Sequence, residues 1–268
     1  MNISRLAIIP ACLLLASCSG ADALGPHPNK EILGLAQQAE ADARSLADDP
    51  AAARLRSDQA DQLYGEIARL CGTDPAGEPP KSCAVDRGTG DASGSRYVTS
   101  LSHDAPAEAA RAAAVLPRDS VDMVVAQAVD AAAVAPVEFP AVKVDNKSDL
   151  DAAREMLRRE YAAEYALSLA NSYADADTRA RIGALRGAGE KRRTYLTGLL
   201  GGSGPVPVPA AGYEVGAADE PTDAESAVRL VEDSASSLVA GWRRTAADAS
   251  SETWMEAAIA LAAQAQRG

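Results

Sequence analysis

Alanine constrains this chain more than any other residue, filling 60 of its 268 positions. It is the best helix former, while the strand-favouring aromatics Phe, Trp and Tyr together reach only 4%. An all-α fold is predicted, and the composition argues against a β-sandwich or barrel. Hydrophobic residues at 47% and charged ones at 24% fit a folded soluble chain rather than a disordered one. The formal charge of −12 argues against a nucleic-acid partner held on a broad basic surface.

The first residues read as an address. Arg5 precedes an apolar stretch, Leu6 to Ala16, that is too short for the roughly 20 residues a membrane-spanning helix needs. This is the pattern of a signal peptide over 1–17. Its last residues, Leu15-Ala16-Ser17-Cys18, resemble the lipobox of bacterial lipoproteins. That resemblance implies a diacylglycerol on the Cys18 thiol and cleavage that leaves Cys18 as the new N-terminus. The protein is then expected to be exported and held by lipid on the outer face of the cell membrane. Residues 18–29, small, polar and Pro/Gly-containing, form a tether. Cys12 leaves with the signal peptide, so Cys71 and Cys83 remain and are expected to form a disulfide. No Cys or His lies near them to complete a metal site.

Helical spacing recurs along the rest. Ile32, Leu35, Ala39, Ala43 and Leu46 form one stripe; Asp49-Pro50 opens a second helix with Leu55, Leu63, Ile67 and Leu70. An irregular stretch over 72–104 is followed by a short helix opened by Pro106, then one capped by Asp119 or Ser120. Together 30–135 make a helical N-terminal domain, and 136–147 a linker. From 148 onward four further helices are expected. Ser148 opens the first, Asp177 caps the second, Thr222 with Glu225 caps the third and Ser251 opens the fourth. Between the second and third lies a crossing segment that begins Gly201-Gly202-Ser203-Gly204 and continues into alternating Pro and Val. Four helices with one long central crossover are the ferritin-like arrangement.

Particular residues carry a closer likeness over about 148–268. The run Glu160 to Leu167, then Arg192-Arg193-Thr194-Tyr195-Leu196, the Gly/Pro crossover, Tyr213 and the Leu230 to Trp242 stretch resemble an uncharacterised ferritin-like domain of unknown function from high-GC Gram-positive bacteria. The resemblance implies the bundle and brings no activity. Ferritin-like di-iron chemistry needs a Glu on each of two helices and a Glu-x-x-His on each of the others. Glu164, Glu190, Glu232 and Glu256 supply one carboxylate per helix, the candidate set for a divalent metal. The histidines fail, because the chain has only His27 and His103. Glu190 is followed at the His position by Arg193, Glu232 by Ala235 and Glu256 by Ile259. Glu160 and Glu164 share a stripe with Leu157 and Leu167, so they either meet water or pair internally with Arg192 or Arg193.

Other constellations carry little. Ser102-His103-Asp104 is read as chance adjacency in a loop, and no Walker-type phosphate loop exists. Trp242 and Trp254 sit at core spacing. The Pro-Val-Pro-Val-Pro run suffices as a stiff connector. No cofactor is expected, and a divalent metal is the exception to test. The leading expectation is a non-enzymatic binding or scaffolding protein with an envelope protein as partner. The alternatives are a carboxylate metal site, or a small ligand or lipid between the Ala-rich helices.

Overall fold

The computed structural model describes residues 25–73, 76–90, 97–213 and 220–268. The signal peptide, Cys18 and the start of the tether lie outside the described residues. Among those described there are eight α-helices and no strand, so the all-α expectation holds. No described helix is long and apolar enough to cross a membrane.

Local capping chemistry sets most helix starts. α1 (Lys30–Ser45) begins where the Asn29 side chain accepts from the N–H groups of Glu31 and Ile32, both at 3.1 Å. α2 (Pro50–Cys71) follows Asp49, whose carboxylate accepts from Ala52 N–H at 3.0 Å, with Pro50 at the position where its missing N–H costs nothing. Gly72, at φ +73°, ends it. α1 and α2 form an antiparallel pair that buries Ile32, Ala36 and Ala39 against Ala60, Leu63 and Ile67.

Cys71 at the end of α2 is disulfide-bonded to Cys83 in the short 3₁₀ turn Lys81–Cys83, their Cα atoms 6.3 Å apart. A closed loop of this size contributes about 3 kcal/mol in the loop-entropy model. The Cys71→Ser/Cys83→Ser double variant is therefore expected to lower the urea midpoint and, because the unfolded chain is released, to steepen the slope slightly. An unchanged midpoint would show that the bond constrains nothing in the unfolded chain.

The irregular stretch is shorter than the sequence suggests. α3 spans Val98–Ala113 and carries Pro106 in its interior rather than at its start. Two observations account for the earlier start. The Ser100 hydroxyl accepts from Tyr97 N–H at 3.0 Å, and the first turn is drawn inward by the burial of Leu101 against Leu46 and Ala52. His103 and Asp104 therefore sit on a helix, not in a loop. α4 spans Arg118–Ala132 after Pro117, and 133–146 is irregular.

α5 (Lys147–Asn171) is capped by Asn146, two residues earlier than a Ser148 start implies. α6 (Ala176–Leu200) is capped by Asp175 rather than Asp177, and α7 (Ala224–Ala247) by Asp223 with Ser226 rather than by Thr222 with Glu225. α8 (Glu252–Arg267) starts at Ser251 as read. The buried Asp149 ties the starts of α5 and α8 together. It accepts from Ser250 N–H at 2.7 Å and from the Ser251 hydroxyl at 2.6 Å.

α5 packs on α6 and α7, and α8 packs on α7 and touches α6. The opposite side of α8 lies on α3 and α4. Every residue from Ala257 to Ala263 is at most 1% exposed. A helix apolar all round is a core helix, not an amphipathic surface one. One core cluster runs from Ile32 through Val129 and Leu157 to Ala265, so the helices before and after 136–147 share it.

Three carboxylates give the fold an acid limit. The N–H of Thr178 holds Asp175 below the ordinary 3.8, and the N–H of Ser226 does the same for Asp223. Hydrogen bonds from Arg69, and further from Ser120, hold Glu66 below 4.5. Depressed carboxyl groups contribute stability that is complete above their unfolded values and is lost as pH falls through the folded ones. Melting temperature is therefore expected to fall below about pH 4. Asp175→Asn/Asp223→Asn should flatten that acid limb, and an equally steep limb would assign it to other groups.

Candidate functional site

Polar side chains of α5, α6, α7 and α8 meet in a buried centre around Glu160. Its side chain is 1% exposed, and that of its partner Arg192 is 4%. Arg192 binds it with both ends of the guanidinium fork: Nε donates to Oε1 at 2.6 Å and Nη2 to Oε2 at 3.0 Å. From α7, Trp242 Nε1 donates to the same Oε1 at 2.8 Å. On the far side Arg192 Nη1 donates to Gln264 Oε1 of α8 at 2.6 Å. The carboxylate thus accepts three hydrogen bonds and faces one fixed positive charge. That is the geometry in which a buried pair offsets its own desolvation.

Helix phase explains the choice of residue. Glu160 follows Ala153, Met156 and Leu157 on the buried face of α5, whereas Glu164 has turned towards the edge, with its side chain 26% exposed. Glu164 is held by Arg186 at 2.5 Å and lies 3.5 Å from Arg193. Gly189 of α6 lies against the same group of charged side chains. A Cβ there would come within 2.9 Å of an Arg193 terminal nitrogen and 3.5 Å of Glu160 Oε2. A cavity of about 20 Å³ remains beside the pair, bounded by Ala163, Ser234 and Leu238. That is room for about one water molecule.

The four candidate metal carboxylates do not converge. Glu164 is engaged by arginines, Glu190 is exposed, Glu232 pairs with Arg181 at 3.4 Å, and Glu256 is half-buried on α8. Among the described residues no group of three or more His, Cys, Asp or Glu side chains is placed to hold a metal ion. Burial, with the charge of Glu256 nearby, pushes the Tyr195 phenol up to about 12. Ser102 is buried and donates to the Ala132 carbonyl at 2.5 Å, so its hydroxyl does not face His103. The exposed His103 is raised by its hydrogen bond to Asp104 at 2.8 Å.

Trp242 and Gln264 are the members of the centre that the sequence did not single out. Trp242 was legible only as a core residue, and Gln264 is a polar residue in an Ala-rich end, with no partner visible along the chain. In comparisons with known proteins, no family model, curated protein or solved structure matches this chain.

Proposed function

We propose that this chain is a lipid-anchored envelope protein whose C-terminal half is a ferritin-like bundle serving as a non-enzymatic binding or scaffolding module. The observation that carries the reading is the bidentate Arg192–Glu160 pair. At mid-bundle, where ferritin-like enzymes gather carboxylates for metal, the buried Glu160 is neutralised by Arg192 of α6 and hydrogen-bonded by Trp242 of α7. A carboxylate that accepts three hydrogen bonds, two of them from an arginine, keeps at most one of its roughly four lone-pair sites for a metal. The Leu15-Ala16-Ser17-Cys18 motif supports the anchor; a module so held on the outer face of the membrane would meet another envelope protein as its partner.

The test is cross-linking in intact cells followed by capture of the full chain, beside capture of a Cys18→Ser variant. One discrete protein partner, captured with the wild type and reduced in the variant, is the expected result. Metal analysis after loading with iron, manganese and zinc decides against the alternative. Near-stoichiometric metal lost in Glu164→Ala and Glu232→Ala would overturn the reading.

A further inference from the structure

A concave groove of about 740 Å³ lies beside the buried centre. Ligand sites of small organic molecules occupy roughly 300–1,000 Å³ and combine apolar walls with a few converging polar groups. Here the apolar side comes from the irregular segment after α4, through Pro136, Val137 and Phe139. That segment is propped, not collapsed: Tyr195 donates its hydroxyl to the Pro140 carbonyl at 2.8 Å, and Phe139 meets the Tyr195 ring edge-on at 5.2 Å between centroids.

The polar side is rich in donors. Lys191 of α6 and Arg267 of α8 both line the groove, and neither takes part in an ion pair among the described residues. Arg267 is fixed through one nitrogen on the Ala133 carbonyl at 2.7 Å, which positions the guanidinium without neutralising it. Thr194 adds a hydroxyl. The Gln264 amide, 3.4 Å from the Ala188 carbonyl, is a donor held only weakly. Against these stand the exposed Glu190 and, close enough to act on Tyr195, the charge of Glu256; Ala188 and Gly268 complete the lining. A chain of net charge −12 thus presents two unpaired cations at an apolar groove.

We infer that this groove binds a small apolar carboxylic acid, its body on the Phe139–Tyr195 pair and its carboxylate between Lys191 and Arg267. The inference rests on the binding-module reading only in taking a groove, not a reacting centre, as the functional feature. It needs neither the membrane anchor nor the protein partner, so it and the capture experiment fail separately. Gln264 joins the floor of the groove to Arg192, and through it to Glu160 and Trp242. Occupancy therefore changes the surroundings of a buried indole.

The test is calorimetric titration of the full chain carrying Cys18→Ser with 2-naphthoate, against 2-naphthylmethanol as the uncharged probe of the same body. One 2-naphthoate per chain is expected, with the alcohol at least tenfold weaker and a shift in tryptophan emission on binding. Lys191→Gln and Arg267→Gln should each weaken binding five-fold or more, and Glu190→Gln should tighten it. Phe139→Ala should weaken both probes. Should that variant unfold, Thr194→Val, which keeps the wall intact, is expected to weaken the acid alone. Equal affinity for acid and alcohol, no response to the two charge removals, or no binding at millimolar probe would each overturn the inference.

Discussion

Arg192→Ala is expected to be the most damaging single substitution in the C-terminal helices, costing about 3–5 kcal/mol, the range for stranding one partner of a buried pair. The loss is not the value of the contact itself. Removing the guanidinium leaves the Glu160 carboxylate in a site 1% exposed, where only Trp242 still donates to it. At roughly 2–4 °C per kcal/mol for a chain of this size, the melting temperature should fall by about 6–20 °C. Glu160→Ala should cost a similar amount, since it strands Arg192 and removes the acceptor of Trp242. The informative comparison is the paired change Glu160→Leu/Arg192→Met, which removes both charges and keeps the volume filled. Replacement of a buried ion pair by packed apolar groups is often neutral or stabilising, so the double variant should recover most of the loss. Denaturant midpoints at constant slope measure this. A double variant as unstable as either single one would mean that the centre contributes through packing alone.

How much of this was legible along the chain depends on how local each signal is. Asp49-Pro50 and Ser251 were read correctly because a cap is a contact over three residues. Asp175 and Asp177 compete for the same role, and nothing nearby in the sequence ranks them. α3 shows the limit of a propensity argument. Pro106 is a strong helix opener in isolation, yet burial of Leu101 against Leu46 and Ala52 extends the helix in front of it. In α8, Trp254, Ala258, Leu261 and Ala265 alone are spaced as a one-faced stripe. The uncharged run Ala257 to Ala263 carried the better signal, that of a helix surrounded on all sides. The buried centre was legible as a choice between residue types and not as a partnership. Spacing put Glu160 and Glu164 on one stripe and named Arg192 and Arg193 as partners. Which carboxylate turns inward depends on the register of α5 against α6, set by contacts 32 residues apart, and on Trp242, 82 residues away. No local periodicity encodes those offsets.

The two tryptophans offer a controlled measurement of what the centre contributes. Trp242 and Trp254 are both fully buried, with ring centroids 6.3 Å apart, so replacing either by Phe removes the same atoms from one region of the core. Their polar ends differ. Trp242 Nε1 donates to the Glu160 carboxylate, whereas Trp254 Nε1 is buried with no hydrogen-bond partner among the described residues. For Trp242→Phe the expected cost is about 4 kcal/mol. Of this, about 1.5–3 comes from a hydrogen bond to a charged group, and the rest from the space left by the smaller ring. Trp254→Phe leaves a similar space but also removes an unsatisfied donor, whose burial costs about 1–3 kcal/mol. The two terms oppose, and that variant should lie within about 1 kcal/mol of the parent. The gap between the variants, not either value alone, isolates the polar term, because the lost volume cancels. The gap should shrink in a Glu160→Leu background, where Trp242 has no acceptor to lose. A gap of the same size there would place the difference in ring packing and leave Glu160 out of it.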